Sequence, residues 1–339
     1  MVLLSVLDQS PIRRGMTPSD AIHETLRLAE AVDRLGYHRY WLAEHHSSGS
    51  LAGPSPEVMI GQVAARTARL RVGSGGVLLQ HYSALKVAEN FRVLETLYPG
   101  RIDLGIGRAP GSDPRTAQAL VQGPGALGIE YFPHRVADLL RFLHDDLEPD
   151  HPFHGVHAMP TGPTAPEVWL LGSSAESASY AAALGTAFSF AHFINWEGGA
   201  QVTRAYQRAF RPSRYLAAPR ASVAVFVVCA DTAQQAERLA QSRLMWSLRL
   251  GFGERRPYPS VADAEAHLYT VEERARMAHT RKGLVVGAPE QVRAQLEALA
   301  ADYAVDELIL LTITEDYPSR LRSYELVAQA FALPCVSPS

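Results

Sequence analysis

Short apolar runs and helical stretches take turns along this chain from one end to the other. VLLSVLDQS at 2–10 reads as a buried strand, and Thr17-Pro18 then supply an N-cap and a first-turn proline. Ile22, Leu26, Ala29 and Val32 form one helical stripe that stops at Gly36. A second strand runs into EHHSS, and Ser55-Pro56 opens a helix through Val58, Val63 and Ala65. Strand 70–79 is followed by a helix from the Ser83 cap to Leu97, and strand 101–109 by a helix at 133–147. Strands at 167–173, 187–194, 221–230 and 307–314 follow, separated by helices at 174–184, 198–210, one ending near Leu250, and 289–302. A last helix covers 318–332.

Eight buried strands alternating with helices predict an α/β chain folded as one (β/α)8 TIM barrel over residues 1–339, with insertions in the βα loops. The largest insertion, 252–285, is polar and reads as a mobile lid or as a structural excursion. A doubly wound open sheet shares the alternation and stays open as an alternative.

Composition narrows the partners. A hydrophobic share of 47% and a net charge of −3 describe a globular chain, and no basic block exists to grip nucleic acid. Cys229 and Cys335 form neither a disulfide framework nor a metal motif. No apolar run reaches the roughly 18 residues of a membrane span, and no basic leader precedes VLLSV. The expectation is a cytoplasmic protein without membrane contact.

In a barrel, chemistry belongs at the C-terminal strand ends. The polar residues there are Asp8-Gln9, Glu44-His45-His46, Arg108, Ser173-Ser174, His192, Asn195 and Trp196. Neighbouring strand residues face opposite ways, so His45 and His46 do not suit one metal ion. An imidazole titrating near neutrality suits an acid–base group; an ordinary strand-end histidine is the plainer reading.

GIGRAPG at 105–111 fails the dinucleotide spacing, which counts against a Rossmann dehydrogenase, but it sets Arg108 among small residues. LLGSSAESASYAAALG at 170–185 places Ser173, Ser174 and Ser177 around a helix start, a phosphate site with Arg108 as countercharge or a simple N-cap. Gly75-Gly76 interrupts a core strand, as a bulge or where backbone approaches a planar ligand. Trp196, Phe193, Tyr131 and Phe132 suit either an apolar pocket or core.

Taken together, GYHRYWLAEHHS, VGSGGVLL, AENFRVLETLYPGRIDLGIGRAPGSDPRT and LGSSAESASYAAALG resemble the bacterial luciferase-like flavin monooxygenase family, nearly end to end. The long YPGRIDLGIGRAPGSDPRT run is similar to its branch of actinobacterial antibiotic-tailoring monooxygenases. The resemblance implies a homodimeric (β/α)8 barrel that takes FMN, as FMNH2, from a separate flavin reductase. With O2 this forms a flavin C4a-(hydro)peroxide that epoxidises or hydroxylates a small, aromatic or polyketide-type substrate. It implies that His45 is catalytic, with His46 the family's second histidine, and that Arg108, Glu176 and Ser177 hold the phosphate; on the residues alone Ser173 and Ser174 join that site, and His46 and Trp196 are the substrate-pocket candidates. It sets a non-prolyl cis peptide at Gly75-Gly76, matches Glu89 to an acidic helix residue, and replaces the reactive cysteine of light-emitting relatives with Gly107. An F420-dependent hydride-transfer enzyme and a non-catalytic flavin-binding subunit are the alternatives.

Overall fold

The computed structural model describes residues 2–109, 111, 113–120 and 128–335; Pro110 and Ser112 of the glycine-rich run lie outside them. In chain order the elements begin with β1 (Leu3–Asp8), α1 (Pro18–Arg34), β2 (Arg39–Leu42) and α2 (Pro56–Arg66). Next come β3 (Arg71–Leu78), α3 (Ala84–Leu97), β4 (Ile102–Gly107), α4 (Pro114–Leu120) and α5 (Phe132–His144). β5 (Glu167–Gly172), α6 (Ala175–Leu184), β6 (Ala187–Ala191), α7 (Gly199–Ala209), β7 (Ala221–Cys229) and α8 (Ala233–Gly251) follow. The chain finishes with α9 (Val261–Ala266), α10 (Val271–Lys282), β8 (Leu284–Gly287), α11 (Pro289–Tyr303), β9 (Glu307–Leu311) and α12 (Tyr317–Ala330).

β1 to β6 pair in sequence, β7 joins β6 to β9, and β9 returns to β1, so eight parallel strands close a barrel. The sheet is therefore not open. β8 is a ninth strand that the apolar pattern alone does not reveal, because LVVG is four residues behind a polar helix. Its partner β7 is long enough to serve two neighbours on one edge. Phe188–Ala191 of β6 pair with Ala221–Ala224, and β8 takes Phe226–Cys229 above them.

The caps expected from sequence form. Thr17 and Asp20 make a reciprocal capping box on α1, and Ser83 and Ser174 cap α3 and α6. One reading needs correction. β2 ends at Leu42, so Glu44, His45 and His46 follow the strand, and strict alternation does not govern them.

The barrel interior is apolar and filled from below by Trp41 and Trp169, whose rings meet edge to face with centroids 5.4 Å apart. Beneath them Arg39 donates to Asp103 at 2.7 Å and to Glu307 at 2.6 Å, while the Trp41 indole N–H donates to Asp103 at 3.0 Å. These buried charges are paired, as burial demands. Ion pairs and indoles thus shut the lower end, leaving the upper end open to a ligand.

The 252–285 stretch is not featureless: α9 and α10 both pack on α8. Its leading edge is tied to the barrel mouth, where Arg255 donates to Asp113 at 2.7 Å. Among the described residues no helix is long and apolar enough to cross a membrane.

Candidate active site

A cavity of about 510 Å³ opens at the upper strand ends, lined from β1 round to β6 and by Ala224 of β7. His45, Gly75, Gly76, Arg108, Ser173, Ser174 and Ser177 all line it. The structure therefore brings together residues spread over more than 130 positions of sequence.

One wall is basic and hydroxylic. Arg108 follows β4, and its Nη1 lies 2.5 Å from Glu176 Oε2 in the first turn of α6. Ser174 caps α6 by accepting from the Ser177 N–H at 3.4 Å, and Ser177 itself is buried. Gly172 makes this turn possible, since a Cβ there would lie 2.5 Å from Ser177 Oγ. The positive end of α6, two hydroxyls and a guanidinium suit a phosphate. Glu176 points outward and half-exposed, so its place is beside Arg108 rather than in the cavity wall. Hydrogen bonding from Tyr180 and the Arg108 charge hold its carboxyl below the usual range.

The floor is bare backbone. The Gly75-Gly76 peptide is cis. A Cβ on Gly76 would sit 2.6 Å from the Gly105 carbonyl oxygen, and one on Gly75 would sit 2.6 Å from Leu7 Cδ1. These glycines have a packing reason besides any ligand: at Gly76 β3 and β4 approach too closely for a side chain, and at Gly75 Leu7 and Trp41 fill the space.

His45 lines the cavity from the turn after β2, half-buried, with its backbone N–H donating to the Gly53 carbonyl at 2.9 Å. Its Nδ1 is buried and makes no hydrogen bond among the described residues. Burial, with a smaller contribution from the neighbouring His46, lowers its pKa to about 4. The expectation of an imidazole titrating near neutrality is thereby corrected. At pH 7 this ring is neutral, with one donor and one acceptor nitrogen.

His46 turns away from the cavity. Its Nε2–H donates to Glu44 at 2.7 Å, and the same carboxylate accepts from the Tyr82 hydroxyl at 2.7 Å and the Leu78 N–H at 3.1 Å. Glu44 is thus a three-way tie fastening the end of β3 to the EHH turn, with His46 as one of its donors. Trp196 is also absent from the cavity wall. Its ring lies 5.3 Å from that of His279 and against Gly283, where a Cβ would meet it at 2.5 Å. It fastens the segment after β6 to the end of α10.

The apolar wall instead comes from Leu7, Leu78, Ile129, Leu171, Phe193 and Ile194. Phe193 was recognisable among the aromatic residues, whereas the aliphatic ones carry no signal that separates them from core. Tyr131 is exposed and Phe132 belongs to the outer core. His192 is held by the Tyr303 hydroxyl at 2.8 Å, and Glu89 pairs with Lys86 on the surface at 3.3 Å. Among the described residues no cluster of His, Cys, Asp or Glu could hold a metal ion.

Comparison with known proteins agrees with this geometry. The family model described as luciferase-like monooxygenase matches residues 3–307. A Bacillus subtilis protein of uncharacterised role, YwcH, is 48% identical over 98% of this chain and 100% of its own length. The N-acetyl-S-alkylcysteine monooxygenase of the same organism is 38% identical over 97% of this chain and 98% of its own. Among solved structures, apo-MsnO8 superposes with a TM-score of 0.88 at 36% identity, covering 99% of this chain and all of that one. With the barrel, the cavity and these end-to-end likenesses in agreement, the chain belongs to the luciferase-like monooxygenase family.

Proposed function

We propose that this protein binds reduced FMN delivered by a separate reductase and uses O2 to epoxidise or hydroxylate a small apolar substrate of aromatic or polyketide type. The observation that carries this reading is the buried, unpartnered Nδ1 of His45 in a cavity that also has a basic, hydroxyl-lined end and a glycine floor. Each part fits a flavin. Arg108, Ser173, Ser174 and Ser177 would hold the phosphate, with Glu176 steadying Arg108, and Gly75-Gly76 would lie beneath the ring. Bound reduced flavin supplies the electrons that activate O2. His45, neutral and shielded, gives a hydrogen bond or takes a proton at the reacting edge, and the apolar walls keep water out.

The whole chain acts as one unit in this proposal, with 252–285 as the cover over the mouth. His46 and Trp196 affect substrate through the segments they fasten. The likeness to the N-acetyl-S-alkylcysteine monooxygenase supports adding S-alkyl thioethers to the substrates tried. A homodimer is proposed too, because Val58, Val93 and Leu97 on α2 and α3 are 66%, 46% and 62% exposed on the isolated chain. Light scattering should return about twice 37.0 kDa.

The test is anaerobic titration with FMNH2 and with reduced F420, followed by mixing with O2 and a panel of aromatic alkenes, phenols and thioethers. Tighter binding of FMNH2 and transfer of one 18O atom from O2 to a panel member support the proposal. Preference for F420 without oxygen transfer overturns it.

A further inference from the structure

We infer that Gln9 is a cofactor-contact residue, its carboxamide hydrogen-bonding the imide edge of the flavin ring. This rests on the FMN reading above and adds a residue to it. Gln9 follows β1, is 6% exposed and lines the cavity. Both of its neighbours are committed elsewhere: Asp8 accepts from Arg320 at 2.8 Å, and the Ser10 hydroxyl accepts from Thr25 at 2.9 Å. Among the described residues the Gln9 side chain, which lines the cavity, has no hydrogen-bond partner. Its amide atoms are not sealed in the core but reach the open space of the cavity, where they are free to bond a ligand.

Its position selects the ligand. Leu7, in β1, and Gln9, just after it, both line the cavity. Leu7 abuts Gly75, where a Cβ would meet Leu7 Cδ1 at 2.6 Å and Trp41 Cβ at 3.0 Å. Gln9 therefore stands at the rim of the bare floor formed by Leu7, Trp41 and the glycine pair. Arg108 and Ser177 follow β4 and β5, three and four strands round an eight-membered ring from β1. A ligand anchored there by its phosphate and laid over the glycines presents its far edge to Gln9. A carboxamide offers N–H donors beside a carbonyl acceptor. Its complement is an edge that alternates carbonyl and N–H, which is what the flavin pyrimidine ring carries.

The reduced ring is anionic near that edge at neutral pH, and a hydrogen bond to a charged acceptor is worth more than one to a neutral acceptor. Gln9 should thus favour reduced over oxidised flavin. Gln9→Leu is expected to weaken FMNH2 binding about tenfold and FMN binding about twofold. That fivefold difference lowers the midpoint potential of the bound flavin by about 20 mV. Gln9→Glu, which adds negative charge and no donor, should weaken FMNH2 binding further. A purely structural glutamine would behave otherwise, because its loss would lower the melting temperature of the ligand-free protein. Here Gln9→Leu leaves that temperature unchanged or raises it.

The experiment measures both flavin affinities, the potential and the ligand-free melting temperature for the parent, Gln9→Leu, Gln9→Glu and Arg108→Ala. Loss of FMNH2 affinity in Gln9→Leu with a negative potential shift supports the assignment. Unchanged affinities and potential in Gln9→Leu, while Arg108→Ala loses flavin, overturn the role of Gln9 alone. Failure of the parent to bind flavin overturns this role and the function together.

Discussion

Arg108 Nη1 and Glu176 Oε2 lie 2.5 Å apart, an ion pair joining the loop after β4 to the first turn of α6. The pair aims the guanidinium along the cavity rim while leaving it a quarter exposed, so an incoming phosphate can share it. Charge-assisted contacts of this kind contribute about 1.5–3 kcal/mol. Arg108→Ala is therefore expected to raise the Kd for FMNH2 roughly 10- to 100-fold. Ser177→Ala should raise it less, and Glu176→Gln least, since that change removes a competing carboxylate but keeps the side chain's shape. Fluorescence or calorimetric titration ranks the three. An Arg108→Ala protein with parental affinity rejects the phosphate assignment.

Gly76 tests the floor. A methyl group there would meet the Gly105 carbonyl oxygen at 2.6 Å and its carbon at 2.7 Å, both backbone atoms of a paired strand. At Gly75 the nearest atom is the far end of the Leu7 side chain at 2.6 Å, with Trp41 Cβ next at 3.0 Å. Gly76→Ala should destabilise the protein by about 1–3 kcal/mol, and Gly75→Ala by less. Urea unfolding of the two variants decides; equal stabilities would mean that β3 can shift away from β4.

The barrel was legible because most of its strands are apolar runs, as in ASVAVFVVCA at 221–230, and several helices open on clear caps, as at Ser83. β8 was not, because four residues behind a charged helix carry too little pattern. His45 and Arg108 could be placed at the cavity from their positions at strand ends, and Ser177 from the helix start that follows β5. Which side chains converge is a different matter. Barrel closure brings Gln9, Leu171 and Phe193 to one cavity, and no local pattern records closure. His46 and Trp196 were misdirected for a related reason. Glu44 and His279 stand ready to engage them, and such tertiary partners cannot be read from neighbouring residues.

Acid should destabilise the fold in a defined window. His45 and His192 are both pushed down to about 4 by burial, against about 6.5 in an unfolded chain. Between pH 6.5 and 4 the unfolded chain binds protons that the folded chain refuses, so stability falls as pH is lowered through that window. Above pH 6.5 these two groups contribute no slope. For His45, whose Nδ1 is shut off from water, the full effect is about 3 kcal/mol. Unfolding free energies from pH 4.5 to 7.5 should show the slope, and His45→Gln should reduce it. An undiminished slope in His45→Gln would place the acid sensitivity elsewhere.

The sharpest separation is between the two adjacent histidines. His45 lines the cavity with a free Nδ1, whereas His46 does not line it and is spent on Glu44. His45→Ala should therefore leave FMNH2 affinity near parental, because the phosphate grip around Arg108 and Ser177 is untouched. Product formation should drop by the 10²–10⁴-fold typical of a lost acid–base group, with O2 consumption diverted to hydrogen peroxide. His46→Ala removes one of three donors to Glu44, and Tyr82 and Leu78 still hold that carboxylate. Its expected effect is a few-fold loss of rate with a raised KM for substrate, as the turn after β2 loosens. Rapid mixing of the reduced-flavin complexes with O2, with product and peroxide measured together, distinguishes the variants. If His45→Ala oxygenates substrate at the parental rate, His45 is an ordinary buried histidine and the chemistry lies with another group in the cavity.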